Sequence, residues 1–322
     1  AYFVHPAQGK HPGVIVWPDV MGIRPSYRSM GKRLAESGYA VLVVNPYYRT
    51  FKGRITPEGG TYGDPELRAK IKPHRESLSP ETCVSDGKAF VAFLDAQDAV
   101  DTGRKIGTTG YCMTGSYTFR LAAAMPERIG AGASFHGGGL VTEAPDSPHR
   151  LIAQIKGGML VAIAETDDAR QPEAKTVLAD TFASTGARGE VEVYEGAMHG
   201  WCPPDSPVYN EAQAEQEGPG RRDAFPETGE PVGGEQRADE GQPAGSIEDL
   251  LVEERASFQH VVAELHVANH VEPHQAHEHE LAHDGGESDD PGEHEVGRAS
   301  REMLVGLNRV ACLRPCRCLL GH

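Results

Sequence analysis

Gly107-Thr108-Thr109-Gly110-Tyr111-Cys112-Met113-Thr114-Gly115-Ser116-Tyr117-Thr118-Phe119 follows Ile106 and leads into helix formers that continue to Ala124. A buried parallel strand turning abruptly into a helix has this composition, and Cys112 stands at the corner. A nucleophile held on such a turn needs Gly110 before it and compact neighbours after it, because the two backbones approach closely there. The first amides of the helix then face the reacting centre, and the positive helix end favours both a thiolate and an oxyanion. The pattern is Gly-x-Cys-x-Thr-Gly, with Thr114 where the stricter elbow carries its second glycine. A structural cysteine packed beside a glycine-rich turn is the plain alternative, since free cysteines are commonly buried as small hydrophobes. A phosphate-cradling dinucleotide turn fits less well. The spacing is not Gly-x-Gly-x-x-Gly, and no acidic residue closes a clear next strand about 20 residues on.

A cysteine in this setting needs a histidine to take its proton and a carboxylate to orient that histidine. Gly158 to Ala164 is a short apolar run typical of a covered strand, and it ends in Glu165-Thr166-Asp167-Asp168. Val191 to Tyr194 is another, followed by Glu195-Gly196-Ala197-Met198-His199-Gly200-Trp201. Taken singly, an acidic pair after a strand is an ordinary helix cap and a loop histidine is an ordinary solvated side chain. Together, three residue types in the workable order nucleophile, acid, histidine, each at a strand end, point to nucleophilic catalysis.

With these residues the chain resembles the dienelactone hydrolase family of α/β-hydrolases over Ala1 to about Ala214. The resemblance rests on Trp17-Pro18-Asp19-Val20-Met21-Gly22, Gly38-Tyr39-Ala40 leading into Val-Leu-Val-Val-Asn-Pro, the Gly-Tyr-Cys-Met elbow, Ser134-Phe135-His136-Gly137-Gly138, Ala164-Glu165-Thr166-Asp167 and His199-Gly200-Trp201. It implies Cys112 as nucleophile, His199 as general base and Asp167 as orienting acid, with Asp168 the fallback when counting back from Pro172. Asp19 matches a glutamate that contacts the resting thiol, one methylene longer; an acidic cap for a helix beginning near Pro25 is its other reading. The fold implies the amides of Val20 and Met113 as oxyanion donors. The implied reaction is acyl transfer from a small ester or lactone to sulfur, followed by hydrolysis. The family's namesake substrate carries a carboxylate recognised by arginines, one of them four residues past the histidine, where this chain has Pro203. Arg24 and Arg49, with Arg28 and Arg54, flank the expected mouth and are the candidate anion contacts; solvated surface charge is their other reading.

The fold expected is α/β: a doubly wound, mostly parallel sheet of the α/β-hydrolase type. Strands are expected at Val14 to Trp17, Val41 to Val44, Ile106 to Tyr111, Gly132 to Phe135, Met159 to Ala164 and Val191 to Tyr194. Helices are expected at Ser26 to Ser37, Pro80 to Gln97, Gly115 to Ala124 and Pro172 to Thr185. About 210 residues bury a full core as one domain, assigned here to 1–215 with an incomplete N-terminus. From about residue 216 the composition turns to Gly, Glu, Asp, Pro and His, and no lysine follows Lys175. Residues 217–322 hold 22 acidic residues against nine arginines, which accounts for 13 of the chain's 16 net negative charges. Such low hydrophobicity and high charge predict a largely disordered acidic tail over 216–322, with short helices at 247–267 and 300–313 where apolar residues return at helical spacing. The missing lysines and missing closing helix point to an altered reading frame or a foreign extension.

The tail's histidines and its Cys312, Cys316 and Cys318 match no common zinc spacing, so no metal and no cofactor is expected. Cys83 and Cys202 suggest no disulfide framework, as in a reducing compartment. No stretch approaches the ~20 apolar residues of a membrane span. The acidic balance and absence of a basic stripe argue against nucleic acid. Cytoplasm is the default location; the chain starts at Ala1 without methionine, which leaves a removed signal segment open. Oligomeric state is not legible in the sequence. A second class of reading remains: a catalytically silent α/β domain that binds a small molecule or a protein.

Overall fold

The computed structural model describes residues 1–214 and the backbone of Ala276–Glu280. Seven strands come first: β1 (Tyr2–Pro6), β2 (Gly13–Trp17), β3 (Ala40–Val43), β4 (Ile106–Tyr111), β5 (Ile129–Phe135), β6 (Gly158–Ala164) and β7 (Gly189–Tyr194). Between and after them lie α1 (Pro25–Glu36), α2 (Pro65–Glu76), α3 (Pro80–Asp95), α4 (Gly115–Ala124), α5 (Glu165–Asp168), α6 (Glu173–Thr185) and α7 (Glu211–Ala214). An eighth strand, β8 (Ala276–Glu280), closes one edge, and the sheet order is β7-β6-β5-β4-β2-β3-β1-β8. The pairs from β7 to β3 are parallel, and those of β1 with β3 and β8 are antiparallel.

Alternation along the strands splits the core into two layers. Val14, Val16, Val41 and Val43 pack with Tyr27, Met30 and Leu34 of α1 on one face. Ile15, Trp17 and Leu42 pack with Val91 and Leu94 of α3, Phe119 and Leu121 of α4, and Phe182 of α6 on the other. Burying each such aliphatic side chain contributes about 1.5–3 kcal/mol. This two-sided cover gives the strands their near-continuous apolar character.

After β3 the chain crosses back over β2 to form β4, so the strand order reverses between these neighbours. Ligands of open α/β sheets bind outside the carboxyl ends of the strands at such a reversal. Trp17, the last residue of β2, pairs with Gly110 of β4, two residues before Cys112. The loop carrying Asp19 and Val20 therefore opens beside the elbow.

Several elements went unread in the sequence, β1 and α2 among them. β1 is a five-residue strand between β3 and β8 and ends in His5 and Pro6. α2 buries only Leu67 and Ile71, contains Pro73, and is started by Asp64, whose side chain accepts the Glu66 amide, with Pro65 in its first turn. Within the acidic tail, Ala276–Glu280 runs antiparallel to β1 with Val4 opposite Glu278. The helices expected at 247–267 and 300–313 and the cysteine cluster lie outside the described residues. Among the described residues, no helix is long and apolar enough to cross a membrane, and no cluster of His, Cys, Asp or Glu could hold a metal.

Candidate active site

Cys112 opens a single 3-10 turn, Cys112–Thr114, that runs directly into α4. Its φ of 54° is left-handed, a strained conformation for a residue with a side chain, costing on the order of 1–3 kcal/mol and persisting where the surroundings enforce it. Those surroundings are specific. A Cβ on Gly110 would lie 2.3 Å from the Thr114 carbonyl oxygen, and one on Gly115 would lie 2.5 Å from the Gly137 Cα. Gly110→Ala is expected to cost about 1–3 kcal/mol, with a lowered urea midpoint as the readout, because the obstructing atom is backbone and cannot rotate away.

Thr114, the departure from the stricter elbow pattern, acts as a clip. Its buried hydroxyl accepts the Tyr111 amide at 3.0 Å and donates to the Trp17 carbonyl oxygen at 2.7 Å, tying the elbow to the end of β2. A glycine there would leave that joint unmade.

His199 lies in the loop after β7. Its Nε2 is 3.1 Å from Cys112 Sγ, and its Nδ1 is 2.7 Å from Asp167 Oδ2. The His199 amide donates to Thr166 Oγ1 at 2.9 Å, so α5 fixes both the backbone and the ring. Hydrogen bonds to Asp167, and next to Cys112, push the imidazole up to about 10. The fallback acid, Asp168, is turned away and accepts from Lys175 Nζ at 2.7 Å. His136, also left-handed at φ 40°, sits edge-on to His199 with ring centroids 5.0 Å apart. Burial, and then the neighbouring His199, holds His136 well below the ordinary imidazole range, so it is neutral beside His199.

The loop after β2, which carries the candidate oxyanion donor Val20, is braced from three sides. The amides of Asp19, Met21 and Gly22 donate to Tyr27 Oη, Asp19 Oδ1 and the Asp19 carbonyl. Among the described residues no protein acceptor takes the amide of Val20. Tyr47, fully buried, donates to the Val20 carbonyl at 2.8 Å and reaches Met113 Sδ at 3.8 Å, so one phenol touches both residues whose amides would hold an oxyanion. Nothing in the local sequence around Tyr47 signals this.

Three of the sequence candidates are engaged within the protein. Asp19 does not rest on the thiol: its carboxylate takes Arg24 Nη1 at 2.7 Å and Nη2 at 2.9 Å, as well as the Met21 amide. Arg24 is not an open anion contact. Its Nε and Nη2 also donate to Asp205 at 2.7 and 3.1 Å and its Nη1 to the Gly22 carbonyl at 3.3 Å, engaging all five donors of a side chain only 5% exposed. The guanidinium thereby ties the oxyanion loop to the histidine loop. Arg49 is held by Asp86 of α3, through Nε at 2.8 Å and a close Nη2 contact, with its side chain still 41% exposed.

A mostly parallel sheet covered on both faces, with Cys, Asp and His at three strand ends around the order reversal, defines an α/β-hydrolase. A profile of the dienelactone hydrolase family matches residues 1–220, and the chain belongs to that family; it is a hydrolase. It is 29% identical over 217 residues to a Synechocystis sp. protein named "Putative carboxymethylenebutenolidase", covering 65% of this chain and 83% of that one. It is 26% identical to the carboxymethylenebutenolidase of Rhodococcus opacus, covering 59% of this chain and 70% of that one. The crystal structure described as "Putative Dienelactone Hydrolase" from Klebsiella pneumoniae superposes with a TM-score of 0.55 over 66% of this chain and 86% of that one. At 20% identity this likeness concerns the fold.

Proposed function

We propose that the chain hydrolyses a small ester or lactone through a covalent acyl-cysteine intermediate. The observation that carries the reading is the unbroken relay from Asp167 Oδ2 to His199 at 2.7 Å and from His199 to Cys112 Sγ at 3.1 Å, with the thiol on a left-handed corner at a helix start. Relatives named for a butenolide, a small lactone, support the substrate class. A free cysteine, at pKa about 8.5, is only a few per cent thiolate at neutral pH. An imidazole whose proton affinity is raised by Asp167 takes up and holds the thiol proton, which supplies the nucleophile.

In the first half-reaction Cys112 Sγ bonds to the carbonyl carbon and the carbonyl π electrons move onto oxygen, facing the amides of Val20 and Met113. Removing one such donor typically costs about 3 kcal/mol in the transition state. As the tetrahedral adduct collapses, the C–O bond breaks and His199 Nε2–H protonates the leaving alkoxide, which stays attached when the substrate is a lactone. In the second, water gives a proton to His199 and its oxygen attacks the thioester carbon, releasing the acid and regenerating the thiol.

Acid quenching during turnover of p-nitrophenyl acetate tests this reading. Mass spectrometry is expected to find a single acetyl group on the peptide containing Cys112, and none on Cys112→Ala. Equal turnover by Cys112→Ala, with no adduct on the parent protein, overturns the reading and leaves a silent binding domain.

A further inference from the structure

The segment that follows β5 touches both halves of the thiol–imidazole pair. On one side, the Gly138 amide donates to the Cys112 carbonyl at 3.1 Å, and Gly137 backs onto the start of α4, where a Cβ on Gly115 would lie 2.5 Å from Gly137 Cα. On the other side, His136 packs against the histidine loop. Its ring centroid is 5.0 Å from that of His199 and 5.1 Å from that of Trp201, edge-on in both cases, so it grips that loop on either side of Gly200. The ring is itself held. His136 is 1% exposed, its amide donates to the Ala162 carbonyl at 2.8 Å, and the Tyr111 ring centroid lies 6.1 Å away. The segment is thus a spacer between the elbow and the imidazole.

This arrangement costs stability. His136 has a left-handed φ of 40°, and neither of its buried ring nitrogens is hydrogen-bonded to another described residue. A phenylalanine would avoid the second cost, but histidine is among the few side chains enriched in the left-handed region, and it supplies a flat ring there. Burial keeps that ring uncharged, so it brings no like charge to an imidazolium on His199. The wall matters most in mid-reaction. When Nε2 leaves sulfur for the alkoxide, the bond to Asp167 is what still ties the His199 ring, and a side chain 32% exposed has room to swing.

We propose that His136 is a positioning residue for the thiol–imidazole pair: its ring sets the separation of His199 from Cys112 and limits the swing of the imidazole during proton transfer. This rests on the reading above, in which Cys112 and His199 react.

The test is His136→Asn in the full chain, which keeps a side chain tolerant of the left-handed backbone and removes the ring. With the variant fully folded, kcat for p-nitrophenyl acetate is expected to fall at least about tenfold, since a misplacement of about 1 Å can cost more than that. KM is expected to stay within about twofold, because a ring 1% exposed does not reach the substrate. Alkylation of Cys112 by iodoacetamide at about pH 7, read by mass spectrometry, is expected to slow at least about fivefold as the thiolate fraction drops toward that of a free cysteine. His136→Phe restores a flat ring of similar volume and is expected to hold both rates within about threefold of the parent. An unchanged kcat or an unchanged alkylation rate in folded His136→Asn overturns the proposal and makes His136 a core filler that moves only the urea midpoint. A folded His136→Phe as slow as His136→Asn overturns it too. If neither variant folds, the parent protein decides: nuclear Overhauser contacts between the His136 and His199 rings are expected across 5.0 Å, and their absence overturns the proposal. Alkylation and ring contacts do not depend on ester turnover. Failure of the acyl-cysteine reading, seen as full turnover by Cys112→Ala, is therefore a separate result.

Discussion

Asp167→Asn is expected to lower kcat by about three to four orders of magnitude while leaving the fold intact, as the equivalent change does in a serine triad. Asp167 Oδ2 accepts from His199 Nδ1 at 2.7 Å, and this bond is the largest of the effects that push the imidazole up to about 10. An amide presents no charge there and can turn its NH2 toward the ring, which favours the wrong tautomer and weakens the imidazolium that, in the proposed reaction, protonates the leaving alkoxide. The pH profile separates this from a loss of folding. In the parent protein His199 remains protonated until the pH rises through about 10, so the alkaline limb belongs there. Without the carboxylate it moves down toward the ordinary value of 6.5. Stability follows the same sign. A raised folded-state pKa favours the protonated chain, so the contribution is fully present below about 6.5 and is lost as pH climbs through about 10. Asp168→Asn is the control. It removes an ion pair to a half-exposed Lys175, worth no more than about 1 kcal/mol, and leaves the relay untouched. An alkaline limb that stays near 10 in Asp167→Asn, or a larger kinetic loss in Asp168→Asn, defeats the assignment.

The strand-turn-helix corner was readable because it is local. Six apolar or small residues end at Gly110-Tyr111, and a helix follows within three residues, so composition alone marks the bend and the residue on it. The same holds for β6 and β7, each ending beside a polar residue of the needed type. What could not be read depends on rotation or on distant contacts. Asp167 and Asp168 are successive residues of a one-turn helix, about 100° apart around its axis, and only the docking of α5 decides which carboxylate faces the ring. Thr114 looked like a flaw in the motif because its partner, the carbonyl of Trp17, lies 97 residues earlier. The joint that Arg24 makes between two loops and the hold on Arg49 are not legible locally, because Asp205 and Asp86 are 181 and 37 residues away, although Asp19 lies only five residues from Arg24. The register of α2 was faint because a surface helix that buries two side chains and tolerates Pro73 has little periodicity to offer. Chemistry-bearing residues at strand ends thus announce themselves, whereas the struts that hold them do not.

Arg24→Met follows from the least legible of these struts and is expected to destabilise the protein by about 3–5 kcal/mol, the usual consequence of stripping the partner from a buried charge. Asp19 is buried and would lose two charged donors, keeping only the Met21 amide. Asp205, 44% exposed, would rehydrate, so the penalty falls mainly on the oxyanion loop. Arg24→Lys recovers little, because one ammonium cannot reproduce a planar fork that bonds two carboxylates and a carbonyl at once. The kinetic effect exceeds what the folded fraction accounts for. Arg24 joins the loop of Val20 to the loop of His199, and releasing it loosens the distance between the amides proposed to hold the oxyanion and the proposed proton carrier. Measured where urea titration shows the variant fully folded, kcat is expected to fall at least about tenfold with KM little changed, since the lost alignment serves the transition state. Asp205→Asn cuts the bridge on its solvent side only and separates the two effects: stability nearly unchanged, kcat reduced. Full kcat in both variants would make Arg24 a prop for the fold with no hold on the chemistry.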